Sequence, residues 1–316
     1  SRAPGADHCG AAGYRMSGTK GYRSGTVALV GRPNAGKSTL LNRLVGVKVA
    51  ITSNKPQTTR HRILGVLTRS RGQFVFVDTP GVHRPHYRMN RRMMHTTRSV
   101  LRDVDLIALL IDVTEKFGAG LQYAIDLVGR TEVPTFLLLN KIDCIAKPKL
   151  LPAIASYSEK GSWAEVIPIS ARKGDNCECF LDAAYNYLPK AGPLFPDDSL
   201  TDRSERFLAA ELVREQVLRR TRDELPYTTA VTVDEWQEPE KDEGTVRIFA
   251  TIMVDGESQK PIIIGRGGKM LKAVGTVARA QIEAMLGRKV FLDLHVKARP
   301  GWREDPPVLD QLEIKD

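Results

Sequence analysis

The chain has 316 residues and a formal net charge of +10, long enough for two domains that each bury a core. No apolar run approaches the roughly 20 residues that cross a bilayer. The four cysteines are too few for a disulfide framework. Structural zinc is not expected either: Cys177 and Cys179 form a lone C-x-C, and His83 and His86 fall in a loop.

A reducing cytosol is the simplest setting for such a chain. The charge is unevenly spread. Residues 1–102 carry 19 Lys and Arg against Asp7 and Asp78, residues 260–303 carry ten against Glu283 and Asp293, and the remainder is net acidic. Two separated basic blocks point to two surfaces that meet polyanions; the bland alternative is a merely soluble surface.

Residues 1–24 are rich in Gly, Ala and Ser without periodicity and are expected to be disordered. Met16 lies inside them, so the lead is either an extension or the remnant of an organelle transit peptide. From residue 25 to 190, short apolar runs alternate with amphipathic stretches. Thr26–Val30, Ile63–Leu67, Phe74–Val77, Leu106–Ile111, Thr135–Leu139 and Val166–Ile169 read as buried strands with helices between most of them. This predicts an α/β domain with a mainly parallel sheet and helices on both faces, its ligand at the carboxyl ends of the strands.

Prolines and glycines then mark a linker over 191–203. Beyond it lie a helix (Ser204–Thr221), two strands (Thr228–Val233 and Val246–Val254) joined across the acidic Glu238–Glu243, and the segment Pro261–Ile264. A helix (Lys269–Leu286) and a strand (Val290–Val296) follow. The predicted second domain spans 204–303, and the Pro-containing acidic stretch 304–316 is expected to hang loose.

Gly31-Arg32-Pro33-Asn34-Ala35-Gly36-Lys37-Ser38, followed by Thr39, fits the phosphate-cradling pattern G-x-x-x-x-G-K-[ST] between a strand and a helix. Its glycines let backbone N–H groups turn inward around a polyphosphate. Lys37 is placed to reach the outer phosphates and Ser38 to hold Mg²⁺. A hydroxyl of Thr58-Thr59 could close onto the metal and a γ-phosphate. In Asp78-Thr79-Pro80-Gly81, the carboxylate would hold Mg²⁺ through water and the Gly81 N–H would touch the γ-phosphate; Lys37, Thr59 and Gly81 are therefore the catalytic candidates.

Asn140-Lys141-Ile142-Asp143 offers a carboxylate that accepts from two guanine donors which adenine lacks. Ser170-Ala171-Arg172 offers the Ala171 N–H to the guanine O6. Any of the last four alone could be an ordinary turn. Five in this order point to GTP and GDP as ligands. The residue after Gly81 is Val82 rather than the water-orienting glutamine of Ras-like switches, which predicts slow intrinsic turnover.

In the second domain, Gly265-Arg266-Gly267-Gly268 is a G-x-x-G. The order helix, strand, strand, helix, G-x-x-G, helix, strand is that of a smaller α+β domain, the type II KH domain, whose loop clamps single-stranded nucleotides. Arg266, Lys269 and Lys272 would meet phosphates, and Ile262, Ile263 and Ile264 would floor the bases, with core packing the alternative for any one isoleucine.

A P-loop G domain joined to a carboxyl-terminal KH domain resembles the Era family of ribosome-assembly GTPases. The likeness is carried by G-R-P-N-A-G-K-S, Q-T-T-R-H-R at Gln57–Arg62, D-T-P-G, N-K-I-D and the run 259–297, including I-I-I-G-R-G-G-K-M-L. The resemblance implies GTP-dependent binding near the 3′ end of 16S-type small-subunit ribosomal RNA during maturation of that subunit, with no DNA expected. It implies a cytoplasmic protein with peripheral association at the inner face of the cell membrane, or an organellar matrix protein if residues 1–24 are a transit remnant.

Asn34 matches GTPases that recruit K⁺ beside the phosphates. GTP is expected to order two switch segments, the first at Thr58-Thr59 and the second at Gly81, and their basic surroundings further suggest that Arg60, Arg62, Arg84, Arg88, Arg91 or Arg92 touch RNA. The alternatives are a GTPase component of an RNA-modification system, and an RNA-binding module with a vestigial nucleotide site.

Overall fold

The computed structural model describes residues 21–83, 85, 87–240 and 244–314. The first domain is built on β1 (Arg23–Gly31), α1 (Lys37–Val45), β2 (Ile63–Arg69), β3 (Gly72–Asp78), α2 (Arg88–Val100), β4 (Leu106–Asp112), α3 (Ala119–Val128), β5 (Thr135–Asn140), α4 (Leu150–Ser158), β6 (Glu165–Pro168) and α5 (Cys177–Tyr185). Its sheet runs β2-β3-β1-β4-β5-β6, parallel except for the antiparallel β2–β3 pair. The near-continuous apolar runs suit strands covered on both faces. One layer gathers Leu29, Leu41, Phe76, Phe136 and Phe180, and the other Val30, Val77, Leu109, Ile125 and Leu139.

The sheet begins earlier than expected. Arg23 and Ser24 belong to β1 because Gly72 and Gln73 of β3 lie opposite them, and Tyr185 Oη donates to the Gly21 carbonyl at 2.7 Å. The expected disorder of residues 1–24 therefore fails at its carboxyl end; residues 1–20 lie outside the described residues. The linker also has partners. Leu200 O accepts the N–H of Val66 on the edge strand β2, and Gln73 bonds both Leu194 N and Phe195 O. An edge strand carries unpaired backbone groups, and the linker covers part of them.

The second domain comprises α6 (Glu205–Arg220), α7 (Leu225–Thr228), β7 (Ala230–Gln237), β8 (Val246–Val254), α8 (Lys260–Ile264), α9 (Lys269–Leu286), β9 (Val290–Ala298) and α10 (Pro306–Gln311). Strand β8 pairs antiparallel with β7 and parallel with β9. The Ser204 hydroxyl accepts from Phe207 N, a standard N-cap that starts α6. Helices α6 and α9 pack Leu212, Val213, Val217, Val274, Ala278 and Ile282 against Ile248 and Ile252 of the sheet.

The stretch from residue 304 does not hang loose. Val308, Leu309 and Ile314 are buried with Trp302 against Met89 and Met93 of α2 and Ala230 and Met253 of the second domain. Arg92 Nη1 donates to Asp310 Oδ1 at 2.6 Å and to the Ile314 carbonyl at 2.9 Å. The acidic composition that looked like a solvated tail supplies counter-ions for a basic helix, and its sparse apolar residues all face one seam.

Candidate nucleotide site and its interdomain frame

The P-loop joins β1 to α1 and faces a cleft of about 610 Å³ at the carboxyl ends of the strands. Gly36 adopts φ +100°, and a Cβ there would stand 2.2 Å from Asn140 Nδ2, so glycine is required. Gly81 lies so close to Pro33 that a Cβ would sit 2.8 Å from the Pro33 nitrogen. This seats the second switch directly on the cradle. Lys37 is buried, its Nζ donating to the Gly31 and Arg32 carbonyls at 3.1 Å each. Burial lowers its pKa to about 8 against the opposing charge of Asp78.

Ser38 Oγ donates to Asp78 Oδ2 at 2.6 Å and lies 2.8 Å from Thr59 Oγ1. Burial pushes the Asp78 carboxyl up to about 6 although Lys37, Ser38 and Thr59 pull the other way, and its Oδ1 has no hydrogen-bond partner. Two hydroxyls and a carboxylate with a spare buried oxygen are the hard donors that Mg²⁺ takes together with phosphate oxygens. When bound, Mg²⁺ supplies charge neutralisation between the β- and γ-phosphates.

Thr59, not Thr58, reaches this cluster. Thr58 Oγ1 instead donates to the Lys55 carbonyl at 2.6 Å. Thr79 is wholly buried and donates to the Leu29 carbonyl at 2.8 Å, while the Pro80 carbonyl accepts from Thr97 at 3.5 Å, so both hold the switch segment in place. Arg32 pairs with Glu115 at 2.5 Å, a partner the motif gave no hint of.

At the base end, Asn140 Oδ1 accepts from Ala171 N at 2.9 Å and its Nδ2 donates to the Ala35 carbonyl at 2.7 Å, so one side chain ties the cradle to the Ser170–Arg172 loop. Ser170 Oγ donates to Asp143 Oδ1 at 2.7 Å, the main cause of that carboxyl's lowered pKa. Lys141, in the left-handed region at φ +69°, pairs with Asp112 and lines the cleft. The Arg172 carbonyl accepts from Arg43. Val82, which follows Gly81, is buried with its N–H on the Gly31 carbonyl at 3.0 Å and does not line the cleft.

The first switch is also held from the second domain. Arg214 of α6 bonds Glu211 through two nitrogens at 2.6 and 2.7 Å and donates to the Thr58 carbonyl. Glu215 accepts from Thr52 N at 2.9 Å and Lys48 Nζ at 2.5 Å, and Arg219 reaches the rim of the nucleotide cleft. None of these was legible in the sequence, because on α6 the charged residues share the buried side with the apolar stripe. Glu211, Arg214 and Glu215 at i, i+3 and i+4 were the available signal.

Two arginines expected on RNA are structural. Arg60 is 3% exposed, donates to the carbonyls of Thr229, Pro226 and Tyr227, and lies over the Trp302 ring at 5.6 Å. Arg92 is 6% exposed and bonds the carboxyl-terminal stretch. Interdomain burial recruited both, since the guanidinium fork can satisfy several backbone carbonyls at once. Arg62, Arg88 and Arg91 are exposed, and Arg84 lies outside the described residues.

His61, beside them, packs edge-on to Phe207 at 4.9 Å. Burial pushes its pKa down to about 4, with Glu211 opposing and Arg203, Arg214 and Arg60 reinforcing. The folded pKa lies below the unfolded value near 6.5, so stability is full above pH 6.5 and lost as pH falls through that window. The His61 contribution should fall by about 1–2 kcal/mol between pH 6.5 and 5, against an opposite change from Asp78, whose raised pKa lets the folded state take up a proton in the same window. Denaturant titrations across that range check it: His61→Phe should lose less stability on acidification than the wild type by about that amount, and an equal slope in the variant would refute the assignment.

In the second domain, α8 turns Ile263 into the core, whereas Ile262 is 56% exposed and Ile264 half-buried. Ile263 therefore drops out of the expected floor of three isoleucines, because a helical rather than extended segment cannot point three successive side chains one way. Gly265, Gly267 and Gly268 all take positive φ, and Arg266, Lys269 and Lys272 are exposed around them. Beside this loop, a groove of about 820 Å³ runs between α9 and β9.

Comparison with known proteins agrees with this architecture. Residues 26–141 match the family model "50S ribosome-binding GTPase" and residues 224–303 the model "KH domain". The chain is 48% identical over 291 residues to "GTPase Era" of Geobacter metallireducens, covering 92% of this chain and 97% of that protein. It is likewise 48% identical to the Lactobacillus helveticus "GTPase Era" over 293 residues, 93% of this chain and 96% of that one.

A crystal structure of Era with MgGDPNP and nucleotides 1506–1542 of 16S ribosomal RNA superposes with a TM-score of 0.90 at 38% identity, covering 93% of this chain and 100% of that one. The structure of a single-substitution variant of Aquifex aeolicus Era bound to GDP·AlF4⁻ gives the same TM-score, identity and coverage. At these identities and coverages over both domains, the chain belongs to the Era family of GTPases.

Proposed function

We propose that this GTPase binds the 3′-terminal region of small-subunit ribosomal RNA through its KH domain and that the bound nucleotide sets the strength of that grip during subunit assembly. The observation that carries the reading is the hold of α6 on the first switch: Arg214 on the Thr58 carbonyl and Glu215 on Thr52. Thr59, next in the chain, sits within the Ser38–Asp78 cluster. A γ-phosphate that reorders Thr59 therefore changes contacts made by the helix on which the KH core is packed. Only such a differential contact lets one ligand bias the other's affinity.

The family description names the large subunit. One of the related structures that span both domains holds small-subunit RNA, and on that we base the choice. Nucleotide contacts follow the site: Gly31 to Thr39 around the phosphates, Ser38, Thr59 and Asp78 on Mg²⁺, and Lys141, Asp143 and Ala171 on the base. Exposed Ile262, half-buried Ile264, Arg266, Lys269 and Lys272 are the RNA contacts. Binding of a 16S-type 3′-terminal oligonucleotide, measured with a GTP analogue and then GDP, tests the proposal. Equal affinities in both states would remove the switch, and no binding in either would remove the RNA.

Hydrolysis lacks a side chain after Gly81 to orient water, so intrinsic turnover is slow. Asn34 Nδ2 donates to the Asn54 carbonyl at 2.9 Å at the edge of the cleft, placing a side-chain amide beside a switch carbonyl. Such neutral oxygens are donors that K⁺ accepts. Turnover should be faster in KCl than in NaCl at equal ionic strength, and Asn34→Ala should erase the difference. Equal rates in the two salts for the unmodified protein would rule out a potassium site.

A further inference from the structure

We propose that the outer face of α2, continued by Arg102 and by Arg130 after α3, is a second RNA surface that takes the phosphate backbone of a double-helical segment. The proposal rests on the RNA-binding reading above and extends it from the KH domain to the G domain. Helix α2 contains no acidic residue. Its exposed residues Arg88, Arg91, His95 and Arg98, with Arg102 in the turn beyond, recur at spacings of three and four. At 100° per residue they fall within an arc of about 80°, and Arg88 to Arg98 spans about 15 Å of axis. The opposite face is fully used: Met89, Met93, Met94, Thr97 and Val100 are buried.

Two depressions meet at Arg98. One, of about 590 Å³, is lined by Arg88, Arg91, Met94 and His95. The other, of about 790 Å³, is lined by Arg102, Tyr123, Leu127 and Arg130.

Three features select the occupant. A solvated helix face commonly intersperses both signs at i, i+4, whereas α2 itself carries no acid; Glu304 stands beside Arg91 at 3.6 Å, and Asp126 and Glu132 line the second depression with Arg98, Arg102 and Arg130. The cations are all arginines, with His95 among them, and the guanidinium fork matches phosphate oxygens. Among the described residues, the exposed large apolar side chain bordering the face is Tyr87, at its end, 41% exposed and under Arg303 at 4.1 Å; Tyr123 Oη accepts from Arg98 at 3.2 Å. Unstacked bases need aromatic platforms and a lipid surface needs an apolar face to insert. A duplex asks only for cations along its backbone.

The test uses the full chain and Arg98→Glu/Arg102→Glu/Arg130→Glu, residues outside the nucleotide site and the G-x-x-G loop. Anisotropy with a blunt RNA hairpin should show at least tenfold weaker binding at low salt. The slope of log K against log salt should shrink by about 2–3, close to 0.9 for each phosphate no longer neutralised. Binding of a single-stranded 3′-terminal oligonucleotide and RNA-free GTP hydrolysis should not change. The Arg→Lys triple variant should keep hairpin binding.

Unchanged hairpin affinity and slope would overturn the proposal, as would equal weakening in the Lys variant. Retained hairpin binding together with abolished binding to anionic phospholipid vesicles would overturn it in favour of a membrane contact. If the unmodified protein bound the hairpin but no single strand, the KH reading would fail while this surface stood.

Discussion

Asp143→Asn should weaken GTP binding by about 10³–10⁴-fold and turn the preference toward xanthosine triphosphate. The wild-type carboxylate has only acceptors, and guanine presents two donors, N1–H and the exocyclic amine. An amide in its place sets an N–H₂ against the guanine amine, so two donors oppose each other. Xanthine carries a carbonyl where guanine carries that amine, and the same amide then finds an acceptor. Ser170 Oγ, donating at 2.7 Å to Asp143 Oδ1, fixes the carboxylate's orientation. Competition of GTP and XTP against a fluorescent nucleotide measures the effect. A GTP affinity within tenfold of wild type would mean that the base is not read by Asp143.

Arg214→Ala should cost about 3–5 kcal/mol of stability, because it leaves the Glu211 carboxylate buried without its partner. Glu211 is 6% exposed; burial alone would raise its pKa, but the charge and hydrogen bonds of Arg214 outweigh that and hold it below the usual range. The same substitution strips the Thr58 carbonyl of its donor from the second domain. Nucleotide-dependent RNA affinity should then be lost along with stability.

The two losses are separable. Glu211→Leu/Arg214→Met replaces the ion pair by apolar groups, which is often nearly neutral for stability, so it should refold normally yet show one RNA affinity in both nucleotide states. Retention of the nucleotide effect in that double variant would show that α6 does not carry the coupling. A stability loss under about 1 kcal/mol in Arg214→Ala would show that the pair is more hydrated than its burial indicates.

The sequence alone determined the local chemistry. Five motifs, most of them just after apolar strands, marked the expected cradle, Mg²⁺ donors and base-reading carboxylate, because phosphate and guanine recognition need particular residue types at short spacings beside a strand end. It also placed the two sheets, since buried strands and amphipathic helices write different periods into the chain.

What it left undetermined lies in long-range pairing. Arg60 and Arg92 have the composition of RNA contacts, yet one seals a junction beside Trp302 and the other binds the Asp310 carboxylate and the Ile314 carbonyl. Residues 304–314 look like a solvated tail until α2 supplies the cations and Met89 and Met93 the apolar seam. The three isoleucines of α8 divide between core and surface once that segment is helical. Arg214, Glu211 and Glu215 acquire their roles only when α6 is laid across the first switch. Charge and burial are properties of neighbours, and for these residues the switch that they hold is more than 150 positions away in the chain.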